Sequence, residues 1–243
     1  MSIEVSVVTP TYNRRKFIPN LIEIYKNQTF PKDKMEWIIV DDGRDKVEDL
    51  FKDIIHILPN IRYIYVDEKM RIGAKRNLLN KEAKGEIIIA MDDDDYYPPN
   101  RVQKVVEAFH KNPKIDLAGS SQMYLYYTDN KKIYSLGPFH KNHATNGTMA
   151  WRKRYTLSHK YNEYVTMTEE KSFLNDYTYE MIQLNPKDSI LVLCHSDNTS
   201  DKYDLRNQHL AVGVNSKLSE TAYKLEDFVK EDSIRNFILE LSA

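Results

Sequence analysis

The stretch Gly85-Glu86-Ile87-Ile88-Ile89-Ala90-Met91-Asp92-Asp93-Asp94-Asp95-Tyr96-Tyr97-Pro98-Pro99 decides the fold. Its first half is an apolar run with three consecutive isoleucines, a pattern typical of a strand that is buried on both faces. Four aspartates follow directly, and such carboxylates repel one another at neutral pH unless a cation lies among them. Pro98 and Pro99 then end the strand, and Pro99 is suited to the first position of a helix.

The four aspartates predict a divalent-cation site. Strand alternation places Asp92 and Asp94 on the same side of the chain. Two carboxylates together with phosphate oxygens often hold Mg²⁺ or Mn²⁺, because these ions keep several ligands that do not come from the protein. The alternative interpretation is a solvated acidic turn, which rarely follows a fully buried strand.

Composition bounds the class of protein. The 243 residues are 41% hydrophobic and 29% charged, with 35 basic and 36 acidic side chains and a net charge of −1. This length suits one large α/β domain or two small ones, and the charge balance gives no sign of a nucleic-acid partner. Cys194 is the single cysteine, which suits a reducing compartment. We find no signal-peptide pattern and no transmembrane segment, so we expect a soluble, intracellular protein of the cytoplasm.

Predicted strands and helices alternate along the first 110 residues. Apolar runs predict strands near residues 3–8, 37–40, 61–66 and 87–91, and Pro10 is expected to stop the first of them. Apolar residues at helical spacing predict a helix after each strand, over about 17–27, 50–58, 72–83 and 102–109. The alternation predicts an α/β fold whose mostly parallel central sheet carries helices on both faces.

Three polar clusters follow predicted strands. They are Thr9 to Arg14, Asp41 to Gly43 and Asp92 to Asp95. Ligands of parallel sheets bind beyond the carboxyl ends of the strands, so we expect these clusters to converge.

The second half has a weaker pattern. Residues 117–127 and 133–136 flank a polar turn and predict a hairpin, and residues 148–151 and 190–194 predict short strands. Thr168 is expected to cap a helix that begins with Glu169 and Glu170. The apolar side of that helix would be Phe173, Leu174, Tyr177 and Met181. Two further amphipathic helices are expected after residue 218, the first with Ala222, Leu225 and Phe228, the second with Ile234, Phe237, Ile238 and Leu241.

Competing nucleotide-site motifs do not occur. The seven glycines lie at positions 43, 73, 85, 119, 137, 147 and 213, so the chain contains neither G-x-G-x-x-G nor G-x-x-x-x-G-K. A dinucleotide dehydrogenase and a P-loop kinase are therefore disfavoured. The run Asp94-Asp95-Tyr96-Tyr97 also departs from the usual motif of phosphatases with a nucleophilic aspartate.

Four motifs together resemble those of GT-A glycosyltransferases of the family 2 type. They are Val7-Val8-Thr9-Pro10-Thr11-Tyr12-Asn13-Arg14, Ile38-Ile39-Val40-Asp41-Asp42-Gly43, Gly73-Ala74-Lys75-Arg76-Asn77 with Ala83-Lys84-Gly85, and Met91-Asp92-Asp93-Asp94-Asp95. The resemblance implies the GT-A fold and metal-dependent, inverting transfer of a sugar from a nucleotide-sugar donor, with a UDP-sugar favoured. The acceptor would be a glycan or another hydroxyl compound, and the cofactor Mn²⁺ or Mg²⁺.

The resemblance also implies a division of the chain. Residues 1–215 would form the glycosyltransferase domain, with 1–110 as the nucleotide-binding half and 111–215 as the acceptor half. Residues 216–243 would form a C-terminal helical extension, which docks on the domain or supplies a homo-oligomer contact.

Site residues follow from the same resemblance. Asp41 would bond the base, although capping of the next turn is its alternative role. Asp94 would be the first metal ligand, Asp92 the second, and the late His195 a further ligand. The donor-binding set would be Pro10, Thr11, Tyr12, Asn13, Arg14, Asp41, Asp42, Arg71, Lys75, Asp92 and Asp93. Arg71 and Lys75 have a solvated helix face as their alternative.

The acid pair supplies the catalytic candidates. Glu170 matches the family's general base and Glu169 is the reserve, while a plain helix start is the alternative interpretation. Trp151 would floor the acceptor site, or lie in the core. Two other functions remain: a nucleotidyltransferase that makes a nucleotide sugar, and a glycan-binding module without catalysis. The first usually carries an early Gly-rich phosphate loop, which this chain lacks.

Overall fold

The computed structural model describes residues 2–165, 168–198, 201–212 and 217–241. Within these ranges seven strands form the central sheet, in the order β3-β2-β1-β4-β8-β5-β9. Their bounds are β1 Val5–Thr11, β2 Met35–Asp41, β3 Ile61–Tyr65, β4 Ile87–Ala90, β5 Leu117–Gly119, β8 Ala150–Arg152 and β9 Ile182–Gln183.

The middle of the sheet is parallel. β1 pairs with β2 on one side and β4 on the other, and every residue of these three strands is buried. Burial on both faces explains why these strands read as continuous apolar runs. β8 is the exception, since it runs antiparallel to both β4 and β5. The segment before β8 therefore arrives at the edge where β1, β2 and β4 end.

Pro10 does not stop β1, contrary to the expectation from sequence. The strand continues to Thr11, and Pro10 lies opposite Val40 of β2. β4 pairs with β1 only as far as Val8, so on that side Pro10 removes no ladder hydrogen bond.

Helices cover both faces of the sheet, which confirms the predicted architecture. They are α1 Ile18–Lys26, α2 Asp49–Lys52, α3 Ile72–Glu82, α4 Arg101–Lys111, α5 Glu170–Phe173, α6 Lys202–Val212 and α7 Asp232–Glu240. The buried side chains of α1 and α4 pack in one apolar cluster, while α3 and α5 contribute to a second. α2 is shorter than predicted, and α4 begins at Arg101 instead of Pro99.

A second sheet holds much of the remaining chain, in the order β10-β6-β7-β11. β6 (Met123–Tyr127) and β7 (Lys132–Leu136) form the predicted antiparallel hairpin. β10 (Leu191–Cys194) is the strand expected before His195, and it pairs parallel with β6.

The C-terminal segment differs from the prediction of two helices. Leu218–Glu220 is a strand, β11, which pairs antiparallel with β7, and Leu225–Asp227 is a 3-10 turn. The second predicted helix is α7, whose Ile234 and Ile238 are buried within this chain. Phe237 meets Phe17 edge-on at a centroid distance of 6.0 Å. Much of the apolar side of α7 therefore packs within the molecule.

The helix expected from Thr168 is also different. α5 spans only Glu170–Phe173, its N-cap is Glu169, and no side chain caps it. Thr168 has a φ of 54°, so its backbone is left-handed. Asn175, Asp176 and Tyr177 have φ values of 46°, 54° and 60°, which ends the right-handed helix one turn after it begins.

Among the residues that the structure describes, no helix has the length and hydrophobicity needed to cross a bilayer.

Candidate active site

The four aspartates at the end of β4 have different surroundings. Asp95 is turned inward, where its Oδ1 accepts from the Leu193 amide at 2.9 Å, and burial raises its pKa well above the usual range. Asp93 is 9% exposed, and burial raises its pKa to about 8. Asp92 and Asp94 are more open, with side chains 23% and 16% exposed. The structure therefore separates Asp92 and Asp94, the pair predicted to bind metal, from the buried Asp93 and from Asp95, which is bonded to the backbone of β10.

Asp94 faces two basic side chains. Its Oδ2 lies 3.6 Å from Arg14 Nη2 and 3.6 Å from His195 Nε2. Burial raises the pKa of Asp94, but the hydrogen bond from His195 and the charge of Arg14 outweigh it, so the pKa falls below its usual value. Asp94 is therefore an ionised carboxylate at the edge of the sheet.

His195 lies where the sequence placed it, directly after β10, and is 3% exposed. Its ring packs on Phe17 at a centroid distance of 4.9 Å. Its Nδ1 accepts from the Asp197 amide at 3.2 Å, and its Nε2 lies 3.0 Å from Asn198 Nδ2 and 3.6 Å from Asp94 Oδ2. A metal-bound histidine normally donates from its second nitrogen. The Asp94 and Asp92 oxygens fit a cation site, whereas His195 fits it only if this turn changes its hydrogen bonding.

The segment after β1 lies beside the aspartates. Arg14 reaches Asp94 and, at 4.0 Å, Asp93, while Asn13 Oδ1 accepts from the Arg44 amide at 2.8 Å. Pro10 and Thr11 are buried, so their side chains offer little surface to a nucleoside. Tyr12 is half-buried, and the Lys69 ammonium lies 4.3 Å from the centroid of its ring. Of the predicted donor residues on this segment, Tyr12 and Arg14 are the best placed for contact.

Asp41 is fully buried and accepts three hydrogen bonds within the chain. It accepts from the Gly43 amide at 2.8 Å, the Val47 amide at 3.3 Å and the Tyr63 hydroxyl at 2.6 Å. These contacts match its alternative role of capping the turn after β2.

Asp42 and Lys75 form a buried ion pair behind Tyr12. Asp42 also accepts from the Met70 amide at 2.5 Å, and Lys75 also donates to the Thr11 carbonyl at 2.8 Å. Lys75 is 4% exposed, so it does not lie on a solvated helix face. Arg71 is exposed at the N-cap of α3 and donates to the Tyr164 carbonyl at 2.9 Å, so the two basic residues do not act as a pair.

The acid pair is joined to the aspartates through Arg76. Arg76 Nη1 donates to Asp92 Oδ1 at 3.1 Å, and its Nε donates to Glu169 Oε1 at 2.9 Å. With its amide oxygen turned toward Arg76, Asn146 accepts from Nη1 at 2.7 Å and donates to the Tyr161 hydroxyl at 2.6 Å. A continuous set of hydrogen bonds thus connects the end of β4 with the start of α5.

Glu170 is the perturbed acid of the pair. It is 9% exposed, and burial together with the neighbouring Glu169 carboxylate raises its pKa to about 7. A carboxylate with a pKa near the working pH is well matched to taking a proton from a hydroxyl.

Two findings correct the sequence analysis. Trp151 is 1% exposed, its indole Nε1 donates to Asn80 at 3.0 Å, and it packs on Phe173, so it belongs to the core and not to the acceptor site. Arg76 was not among the candidates. It lies four residues after Ile72 and three before Leu79, and this helical spacing would have placed it on the inner face of α3.

The fold and this edge of carboxylates define the GT-A class of glycosyltransferase architecture. A family model described as Glycosyl transferase family 2 matches residues 6–196. The chain belongs to glycosyl transferase family 2.

Individual relatives agree with the family. An uncharacterised glycosyltransferase of Methanocaldococcus jannaschii is 28% identical over 202 residues, 74% of this chain and 68% of that protein. The chain spans 36% and 40% of the length of two other curated relatives.

Two solved structures share the fold. Residues 1–349 of Staphylococcus aureus TarS, in complex with UDP-GlcNAc, superpose with a TM-score of 0.61 at 19% identity, covering 81% of this chain and 60% of that one. A mannosyltransferase from Pyrobaculum calidifontis, in complex with GDP-Man and Mn²⁺, gives 0.66 at 15% identity, covering 99% and 70%.

Proposed function

We propose that this chain transfers a sugar, with inversion, from a UDP-sugar to a hydroxyl of a glycan or similar acceptor, and that it needs a divalent cation. The observation that carries the proposal is the Arg76 bridge. It brings Asp92, at the end of a donor-side strand, into one hydrogen-bonded unit with Glu169, which directly precedes Glu170. A sugar bound at Asp92 would thus lie beside a carboxylate suited to general-base catalysis.

Glu170 takes the proton in this mechanism. The acceptor hydroxyl attacks the anomeric carbon, the bond from that carbon to the diphosphate oxygen breaks, and the hydroxyl proton passes to the Glu170 carboxylate. Glu169 is held by Arg76 and so is less available as a base. Arg76 keeps the acid pair at a fixed distance from Asp92, which is the positioning that such a reaction requires.

Asp94 and Asp92 would hold Mn²⁺ or Mg²⁺ through their oxygens, with His195 as the additional candidate. Bound there, the cation supplies positive charge against the leaving diphosphate. In the part of the chain that the structure describes, no three acidic, histidine or cysteine side chains are grouped to hold a metal alone. Diphosphate oxygens of the donor would therefore complete the coordination.

The donor proposal also specifies the base, which we take to be uracil. The TarS structure was solved with UDP-GlcNAc and the mannosyltransferase with GDP-Man, so the shared fold accommodates either base. Tyr12 supplies an aromatic face, and Arg71 is exposed at the N-cap of α3. The closed hydrogen bonding of Asp41 removes it from the direct contacts that we propose.

A thermal-shift screen tests the proposed donor. The chain is heated with UDP, GDP, CDP or dTDP, each with and without Mn²⁺, since a ligand that binds the folded state raises the melting temperature. We expect the largest rise with UDP and Mn²⁺ together. A larger rise with GDP than with UDP would show that the donor base is guanine and not uracil. Equal rises with and without Mn²⁺ would contradict the proposed metal dependence.

Membership of glycosyl transferase family 2 disfavours the alternative that the chain is a nucleotidyltransferase. The non-catalytic alternative predicts nucleotide binding without turnover. Release of UDP from UDP-glucose or UDP-GlcNAc, measured with a panel of sugar acceptors, separates it from the enzyme.

A further inference from the structure

A cavity lies between α4 and the segment that follows β9. Its volume is about 200 Å³, and its walls include Arg101, Lys104 and Ala108 of α4 and, from the facing segment, Asn185 and Asp188. One water occupies roughly 30 Å³ in the liquid, so the cavity has room for a small hydrated ion, whereas larger ligands occupy pockets of about 300 Å³ or more. We call this space the α4 cavity.

Arg101 is the unusual side chain of this wall. It is fully buried, and its Nη2 donates to the carbonyls of Thr148 and Met149 at 2.7 and 3.2 Å. Its Nε and Nη1, which carry most of the N–H donors of the guanidinium, have no hydrogen-bond partner among the residues that the structure describes. Native folds rarely leave buried donors unpaired, so these two nitrogens indicate an acceptor that the chain itself does not supply.

The charge of Arg101 also lacks a counter-charge. No acidic side chain in the described ranges forms an ion pair with it, and burial lowers its pKa only to about 10, so it is protonated at neutral pH. The nearby Tyr97 hydroxyl is neutral at that pH, because burial raises its pKa well above the usual range. Buried charges in native proteins are normally paired, so the missing acceptor should be an anion.

The start of α4 adds to the positive potential. Arg101 is the first residue of this 11-residue helix, whose first turn contains no acidic residue, and the amino end of a helix carries partial positive charge. Lys104 supplies a second cation and is 47% exposed, 3.3 Å from Glu107. Asp188, on the opposite wall, is engaged by Asn100, whose Nδ2 donates to its Oδ1 at 2.8 Å. Two cations and a helix start therefore outweigh the Asp188 carboxylate.

We propose that the α4 cavity binds a small oxyanion of phosphate or sulfate size, whose oxygens accept from Arg101 and whose charge is attracted by Lys104. Hydrogen bonds between a guanidinium and an oxyanion are short and strong, and they would offset the cost of burying the arginine. Arg101 would then join the anion to the turn of residues 146–149, which contacts Arg76. The site is separate from the proposed donor site and does not rest on the proposed function.

The test uses the full chain with phosphate or sulfate as the probe. Chloride keeps the ionic strength constant, and EDTA excludes any contribution from a divalent cation. Glucose 6-phosphate is a third probe, which distinguishes free phosphate from a phosphate ester. Calorimetric titration gives the affinity, and the melting temperature is recorded on the same samples.

Three variants locate the binding. Ala108→Phe fills the cavity without removing a charge, because a helical side chain leans toward the preceding turn, where Lys104 lies. Lys104→Gln removes the exposed cation, and Lys111→Gln is its matched control, an exposed lysine of the same helix outside the cavity. Arg101 itself is left unchanged, since its loss would also free two buried carbonyls.

We expect phosphate or sulfate to bind the wild-type chain and to raise its melting temperature. Ala108→Phe should weaken this binding by about 10-fold or more and Lys104→Gln by roughly 2- to 5-fold, while Lys111→Gln should bind as the wild type does. Tighter binding of glucose 6-phosphate than of phosphate would assign the site to a phosphate ester.

Three results would overturn the inference. The first is that neither ion binds the wild type. The second is that Ala108→Phe binds the ions as the wild type does, because they would then lie elsewhere, for example at the donor site. The third is that Lys104→Gln and Lys111→Gln change the affinity equally, which would show a general effect of charge.

Discussion

The two halves that meet at the active site are built in different ways. Residues 5–111 form parallel strands whose ends are fixed by buried polar contacts, such as the Asp42–Lys75 pair. The described residues of 112–198 form short strands and turns, and the acid pair lies at the start of a four-residue helix between left-handed residues. The difference indicates that changes at the end of β2 should reduce stability first, whereas changes around α5 should reduce activity first.

The largest expected effect is the loss of the buried pair. Lys75→Met leaves the Asp42 carboxylate buried without its cation, which should lower the free energy of unfolding by about 3 kcal/mol. Urea denaturation measures the change, with Lys69→Met as the control, since Lys69 is an exposed lysine that also contacts the Tyr12 ring. Equal free energies of unfolding for the two variants would contradict the view that the buried contacts at the end of β2 matter most for stability.

The next effect is on turnover. Glu170→Gln keeps the size of the side chain but cannot accept the proton, so transfer should fall by roughly 10²-fold or more. Nucleotide affinity and fold should stay the same, because Glu170 makes none of the contacts that fix the donor half.

Glu180→Gln is the matched control, since Glu180 is an exposed acid on the same irregular segment. Turnover and UDP binding are measured on one preparation. A Glu170→Gln variant that transfers sugar at nearly the wild-type rate would exclude Glu170 as the base. A variant that loses both sugar transfer and UDP binding would show that a change near α5 also disturbs the donor half.

A third effect concerns the aspartates. Asp94→Asn should weaken Mn²⁺-dependent binding of UDP by about 10-fold or more, because it removes the ionised oxygen ligand. Asp95→Asn should leave that binding intact, since Asp95 has a strongly raised pKa and an amide keeps the acceptor for Leu193. Calorimetric titration of UDP with Mn²⁺ measures both, and the same loss in both variants would refute the distinction.

The smallest effect is a pH dependence of stability. The pKa of Glu170 rises from 4.5 in the unfolded chain to about 7 in the fold, so its protonated form favours the folded state. Stability from this group is complete below pH 4.5 and is lost as the pH rises through about 7. Glu170→Gln should thus be more stable than the wild type at pH 8, by on the order of 1 kcal/mol.

Several charged groups share in that pH effect. Glu169 and Asp92 raise the pKa of Glu170 by repulsion, while Arg76 lowers it. In Glu170→Gln the attraction between the Glu170 carboxylate and Arg76 is also lost, which offsets part of the gain in stability at pH 8. Denaturation at pH 5 and pH 8 measures the crossover, and a wild-type advantage at pH 8 would contradict it. Turnover should rise over the same range, as the base loses its proton.

Apolar runs predicted the parallel half well, because strands buried on both faces leave a continuous signal. β11 left none: Ser219 and Glu220 are exposed, and the strand is defined by its pairing with β7. α6 was missed for a similar reason, since none of its residues is buried.

Several candidate residues lie together where charge and position coincide in the sequence. Asp94 lies beside His195, and Arg76 joins Asp92 to Glu169, which directly precedes Glu170. Trp151 was ambiguous, because a tryptophan on a short strand has the same sequence signature whether it faces a ligand or the core. The left-handed backbone at Thr168 and Tyr177 has no signature in these two residue types, and it lies on either side of the single turn of α5.

The reversed direction of β8 has a consequence for how this molecule can diversify. Because β8 is antiparallel to both neighbours, the connection that leads into it, residues 137–149, reaches Arg76 through Asn146 while its two ends stay anchored in separate sheets. Lengthening a surface connection costs little free energy, about 0.6 kcal/mol for each doubling. Under the proposed function, insertion there would alter the surface beside the acid pair without altering the strands of the donor half, which makes this connection a suitable place to graft or randomise sequence in laboratory evolution.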